Sequence, residues 1–336
     1  MTIGPVSDSH REISVTEPVS PALERVKTML FKPFDLGKWF TIGFCAWLAF
    51  LGEGGGGGSF NSGFNNGLNT GNQHHAVESF RHDYQQAQDY VLQNLLWIIP
   101  VAAAMVILLL ALWVLVLWLS SRGRFMFLHC VAQNRAEVVE PWKRFGREAN
   151  SLFWFRLVLS LIGSLLMLPV LLIVAIIVLG MALRGEADAP RIILAVGLFV
   201  FLLFIAIVFT LIQKFMMDFV VPILFLHGGT CLSAWKKFWE LLARHAGTYT
   251  LYILFQIVLS MAIGIIVLGA VLITCCIAGC LMAIPYLGTV LLLPVLVFKQ
   301  SYALYFLRQF GPDYDVFPPE FPAPPQTAPP MQSGIR

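Results

Sequence analysis

A chain of 336 residues that is 58% hydrophobic and only 12% charged lies far from soluble domains, in which roughly a quarter of residues carry charge. Its net charge of +3 says little until it is mapped onto loops, and no nucleic-acid partner and no cofactor is expected. The apolar residues gather in runs of about 20, the length that crosses about 30 Å of hydrocarbon at 1.5 Å per residue. They lack the alternation of outer-membrane strands.

Residues 1–19 are polar and hold no apolar core of a signal peptide, so a disordered cytoplasmic N-terminus is expected. Membrane spans are read near 36–52, 95–119, 153–180, 191–216, 250–274 and 282–306. The first ends in the run Gly54–Gly58, inside a Gly/Asn-rich external loop over 52–75. The fourth apolar stretch, Ile192 to Leu226, is too long for one perpendicular crossing. Residues 311–336 are proline-rich and read as a disordered cytoplasmic tail through which a protein partner could bind.

Lysine and arginine set the orientation. They crowd before span 1, between spans 2 and 3, between spans 4 and 5, and after span 6, while the opposite loops hold only Arg81, Arg184 and Arg191. The imbalance places both ends in the cytoplasm of a prokaryotic inner membrane.

Each odd-numbered span follows a short amphipathic segment, here called an elbow. The first sets Leu23, Val26, Leu30 and Phe34 against Glu24, Arg25, Lys27 and Lys32. The second sets Val138, Trp142, Phe145, Ala149 and Leu152 against Glu137, Lys143, Arg144, Arg147 and Glu148. The third sets Leu232, Trp235, Phe238, Trp239 and Leu242 against Lys236, Lys237, Glu240 and Arg244. Residues three and four apart share a helical face. Trp142-Lys143-Arg144-Phe145 parallels Trp235-Lys236-Lys237-Phe238, and Phe127-Leu128-His129 parallels Phe225-Leu226-His227. The expected fold is therefore an all-α membrane domain over 20–310. Its six transmembrane helices form three parallel repeats of elbow plus hairpin, at about 20–120, 125–217 and 230–308, a period of about 100 residues.

Pro33-Phe34-Asp35-Leu36-Gly37-Lys38-Trp39-Phe40, Arg122-Gly123-Arg124-Phe125 and Pro285-Tyr286-Leu287-Gly288-Thr289, with the elbow-hairpin plan, resemble a group of uncharacterised prokaryotic membrane proteins. That group is similar to the membrane domain fused to some glycerophosphodiester phosphodiesterases and to the YciC-like proteins. The resemblance implies a fold over roughly residues 20–318. It does not imply the phosphodiesterase activity, which belongs to a separate soluble barrel of about 250 residues.

Two sets of residues are candidates for function. Arg25, Lys27, Lys143, Arg144, Lys236 and Lys237 on the elbows suit anionic lipid headgroups. Arg122, Arg124, Lys214, Asp218 and Lys299 lie in polar knots that interrupt the even spans near their cytoplasmic ends. These five either meet near the threefold axis or snorkel to the interface, and the short side chain of Asp218 is the one that cannot snorkel far. Lys214 and Asp218 are spaced to pair along one helical face, and Gln256 suits an interhelical hydrogen bond.

Other motifs point to little. Cys275, Cys276 and Cys280 allow a disulfide at the outer end of the third hairpin, without a full set of metal ligands. His74, His75, His82 and Asp83 offer at most weak metal binding. The glycine run lacks the Lys-Ser/Thr of a phosphate loop. A non-enzymatic lipid-interacting or scaffold protein is expected, with a small-solute transporter or channel and a membrane-embedded enzyme as alternatives.

Overall fold

The computed structural model describes residues 13–52, 95–184, 188–274, 279, 281–282 and 284–317, and these contain helices and no strand. Among the described residues, four helices are long and apolar enough to cross a membrane: Trp97–Gln133, Gly146–Met181, Ala189–His227 and Ala246–Ile273. In chain order the elements are α1 (Val19–Val26), a π-helical turn (Lys27–Phe31), α2 (Leu36–Phe50), α3 (Leu95–Gln133), α4 (Val139–Arg144) and α5 (Gly146–Arg184). Then come α6 (Ala189–Phe215), a second π-helical turn (Met216–Val220), α7 (Val221–His227), α8 (Cys231–Arg244), α9 (Ala246–Ile273), α10 (Pro285–Leu291) and α11 (Leu293–Arg308).

Hydropathy misplaces the ends of the long helices. α3 runs on through Ser120-Ser121-Arg122 to Gln133, and α5 begins at Gly146. A helix of 39 residues is about 58 Å long, nearly twice the hydrocarbon thickness. The burial of these helices explains the excess. Phe125, Met126, Phe127 and Leu128 are each 1% exposed, whereas Ile107 and Leu108 are 67% and 64% exposed. Phe219–Leu224 beyond the knot of α6 and Tyr302–Leu307 beyond that of α11 are buried in the same way, apart from partly buried Tyr305. Apolar side chains on one side of each knot pack in a protein core, and those of α3 and α6 on the other side are bare.

The first and last expected spans come out shorter. α2 has 15 residues, about 23 Å. The segment read as span 6 is split into α10 and α11 at Leu292, where Pro294 follows and cannot donate the helical hydrogen bond.

Three amphipathic segments each end in a break before an apolar helix. α1 and its π-helical turn end at Lys32, and Asp35 caps α2 by accepting from the backbone N–H of Gly37 at 2.8 Å. α4 ends at Phe145 and α8 at His245, both outside helical geometry. α8 opens with a reciprocal cap between Thr230 and Ser233, reached through Gly228 and Gly229 at φ 64° and 94°, a backbone that favours glycine.

The termini are more ordered than their polarity suggests. Ser14 exchanges two hydrogen bonds with the Gln309 side chain, at 2.8 and 2.9 Å, and Tyr302 donates to the carbonyl of Val15 at 2.9 Å. Phe317 stacks on Tyr305 at 4.4 Å, and Arg308 pairs with Asp315 at 3.0 Å. A few backbone and aromatic contacts thus fasten the described residues 13–18 and 311–317 to α11. The external loop 52–75 beyond Gly52, the cysteines Cys275, Cys276 and Cys280, and the histidine group lie outside the described residues.

The tightest helix contact is α2 on α3. A Cβ on Gly123 would stand 2.5 Å from the backbone of Leu48 and Ala49, a contact that demands backbone displacement. Gly123→Ala is expected to destabilise the protein by roughly 1–3 kcal/mol, read as a lower melting temperature in detergent, while Gly197→Ala, with open space around it, leaves it unchanged.

Candidate functional site

The knots bring together only part of what the sequence suggests. In α3, Ser120 donates to the carbonyl of Ala49 at 3.0 Å, fastening α2. Arg156 of α5, buried, donates to Ser120 and Ser121 at 3.1 and 3.4 Å. It is the only charged residue between Glu148 and Arg184, a signal present in the sequence but passed over because the run around it is so apolar. Arg122 lies over the rings of both Trp118 and Trp142, 4.6 and 4.8 Å from their centroids, and Arg124 lies 4.2 Å from that of Phe50. Cations held this way by aromatic faces gain about 0.5–2 kcal/mol.

A second group forms among α6, α9 and α11. Lys214 Nζ stands 2.7 Å from Asp218 Oδ2, and the Tyr252 hydroxyl donates to the same oxygen at 2.8 Å. Gln256 donates to Tyr252 at 3.0 Å. Lys299 is near enough to interact electrostatically with both Lys214 and Asp218. The Asp218 side chain is 15% exposed against 38% for that of Lys214, so the carboxylate is mostly shielded and is held by partners. It sits on the π-helical turn Met216–Val220; such single-turn bulges recur at functional positions. Lys214 and Asp218 therefore pair, with Lys299 in electrostatic range but not in contact, while Arg122 and Arg124 are engaged by aromatic rings. Tyr252, the hub of the group, was not singled out from sequence, because a tyrosine in an apolar helix reads as an interface residue.

The elbows divide too. Arg25 donates to the carbonyls of Val131 and Ala132, at 2.6 to 3.2 Å, and lies over Phe317. Its guanidinium thus caps the C-terminal end of α3, where carbonyls lack helical partners. Lys27, Lys143, Lys236 and Lys237 are exposed, and Arg144 stands 4.0 Å from Glu140 across an exposed turn. α8 is seated by Cys231, Ala234 and Phe238, with Phe238 stacked on Phe219 at 5.4 Å. Leu232 and Trp239, on the apolar face read from the sequence, lie on the flank of that seat, 71% and 63% exposed, beside Lys236. Leu23 and Phe34 of the first elbow are likewise exposed where Ala22, Val26, Met29 and Leu30 face inward.

Four membrane-length apolar helices, bare over most of their length and joined to amphipathic helices, define a helical membrane protein. The chain belongs to a family described as "Family of unknown function (DUF7544)", which matches residues 13–293. No curated protein and no solved structure matches it, so the likeness to the phosphodiesterase membrane domain and the YciC-like proteins rests on its short strings alone. Among the described residues no group of histidine, cysteine or carboxylate side chains is placed to hold a metal ion.

Burial pushes the Cys231 thiol up to about 12, so almost no thiolate exists at neutral pH. Maleimide at pH 7.5 is expected to leave Cys231 unlabelled in the folded protein and to label it after denaturation, as peptide mass spectrometry would show. Rapid labelling of the folded protein would mean that α8 lifts from its seat.

Proposed function

We propose that this is a six-span, non-enzymatic membrane protein of the prokaryotic inner membrane, with both ends cytoplasmic, whose elbows engage anionic lipid. α2 and the α10–α11 pair serve as the first and sixth spans, giving three parallel units of elbow and hairpin. The observation that carries this reading is the flank of α8. One face is packed on the bundle, an adjacent apolar strip of Leu232 and Trp239 is bare, and Lys236, Lys237 and Arg244 are exposed. A helix with this division lies in the headgroup layer, with Trp and Leu toward the acyl chains and cations toward phosphate. The other elbows repeat it, with Phe31 and Lys27 in the first and Val139 and Lys143 in the second, all exposed.

Each basic residue near an anionic surface contributes about 1 kcal/mol. Replacing Lys143, Arg144, Lys236 and Lys237 together by Gln should reduce co-purified anionic phospholipid at least about tenfold. Mass spectrometry of retained lipid measures this, and unchanged retention would sink the reading.

A transporter is favoured by one observation, the Lys214–Asp218–Tyr252–Gln256 chain of hydrogen bonds on a π-helical turn, since charge among apolar helices commonly marks a solute path. Beyond Gln256 the next turn of α9 offers only Ser260, which is exposed, so the chain joins helices without leading onward. Asp218→Asn should therefore lower the melting temperature and leave solute flux in proteoliposomes at the lipid-only level for both proteins. Flux by the unmodified protein that Asp218→Asn abolishes would establish transport instead.

A further inference from the structure

α2 and α3 are fastened to each other at both ends of their contact. Near the end of α2, Leu48 and Ala49 press against Gly123, and Ser120 donates to the Ala49 carbonyl. Near its start, Lys38 Nζ donates to Asn134 Oδ1 at 2.9 Å. Between these fastenings Cys45 of α2 and Cys130 of α3 face each other. Both are free thiols, both are 0% exposed, and their Sγ atoms stand 3.9 Å apart. Cys130 Sγ also lies 3.5 Å from the Glu137 carbonyl, so its S–H has a weak acceptor in the turn that leads to α4.

We propose that Cys45 and Cys130 are a redox-sensitive clasp, which hydrogen peroxide closes into a disulfide joining α2 to α3. Disulfide sulfurs stand about 2.05 Å apart, and turns at the two χ1 angles supply the approach from 3.9 Å while the fastenings hold the backbones. One thiolate attacks an oxygen of the peroxide, the O–O bond breaks, and the sulfur becomes a sulfenic acid as hydroxide leaves. The second thiolate then attacks that sulfur, the S–S bond forms, and the S–O bond breaks to release a second hydroxide. Each hydroxide takes one of the two thiol protons, so two thiols and one peroxide give one disulfide and two waters. Burial makes the outcome selective. A small uncharged oxidant enters a packed core as the helices breathe, whereas a bulky thiol such as glutathione does not. The sulfenic acid therefore condenses with the cysteine beside it. Closure withdraws the Cys130 S–H from the Glu137 carbonyl and ties positions 85 residues apart, which restricts the unfolded chain.

The test treats the full chain, reduced and in nanodiscs, with a small molar excess of hydrogen peroxide, then blocks remaining thiols with N-ethylmaleimide in denaturant and digests the protein. Mass spectrometry should find the Cys45 and Cys130 peptides joined, lighter by two hydrogens, in most molecules, with Cys231 recovered as a blocked thiol. The melting temperature should rise by about 3 °C or more on closure, and neither Cys45→Ala nor Cys130→Ala should show that rise. The peptide mapping is made on the unmodified chain, so it decides the matter whether or not the alanine variants fold. Cys45 and Cys130 recovered as free thiols, joining that needs prior denaturation, pairing of either with another cysteine as often as with each other, or closure at an unchanged melting temperature would each overturn the proposal.

Discussion

Apolar surface in this protein is divided by three short polar stretches: Ser120–Arg124 in α3, Gln213–Asp218 across the end of α6 and its π-helical turn, and Lys299–Ser301 in α11. Beyond each knot the side chains pack into a core that includes Phe125, Phe219, Phe238, Tyr249 and Phe306. On the near side α3 and α6 carry leucine, isoleucine and valine that are largely exposed. Apolar surface on that scale is not stable in water, where about 25 cal/mol is lost per Å² left exposed. Everything else in the fold follows from which side of the knots a residue occupies.

The knots also do structural work at that level. Buried hydrogen-bonding groups left unsatisfied cost about 1–3 kcal/mol each, and several in the knots are satisfied between helices, although Ser301 Oγ is buried without a hydrogen bond. Ser120 ties α3 to α2, Arg156 ties α5 to α3, and Asp218 with Tyr252 ties the α6 end to α9. Each long helix is fastened to a neighbour where it leaves the packed region. The elbows close the same region from outside, their inner faces completing the core and their breaks at Lys32, Phe145 and His245 turning the chain into the apolar helices.

Much of this was legible in sequence because a run of 20 apolar residues has one cheap solution, a helix in lipid. The four long helices and the three amphipathic segments emerge from that rule and from spacing. Helix ends were less legible, since hydropathy treats Ser120-Ser121-Arg122 as a terminus, while the backbone continues into residues that protein buries. Which edge of an amphipathic stripe is covered was not legible for a related reason. Leu232 and Trp239 are as apolar as Phe238, and only the position of the bundle decides which of them is covered. Arg25 read as a headgroup ligand because nothing local reveals the carbonyls of Val131 and Ala132, more than a hundred residues away in the chain. Lys214 and Asp218 were legible as a pair, being one turn apart on one helix; their partner Tyr252 comes from another.

The central claim is that the bare stretch of α3 ahead of its knot faces hydrocarbon while the residues past the knot are packed in protein. Spin labels placed singly along α3 of the reconstituted protein, at Ile107, Leu108, Leu112, Leu115 and Phe127, test it through their collisions with oxygen and with a water-soluble nickel chelate. The account predicts oxygen-dominated collisions from Ile107 through Leu115 and protection from both reagents at Phe127. Free access of the nickel chelate to Leu108 or Leu112 would contradict it.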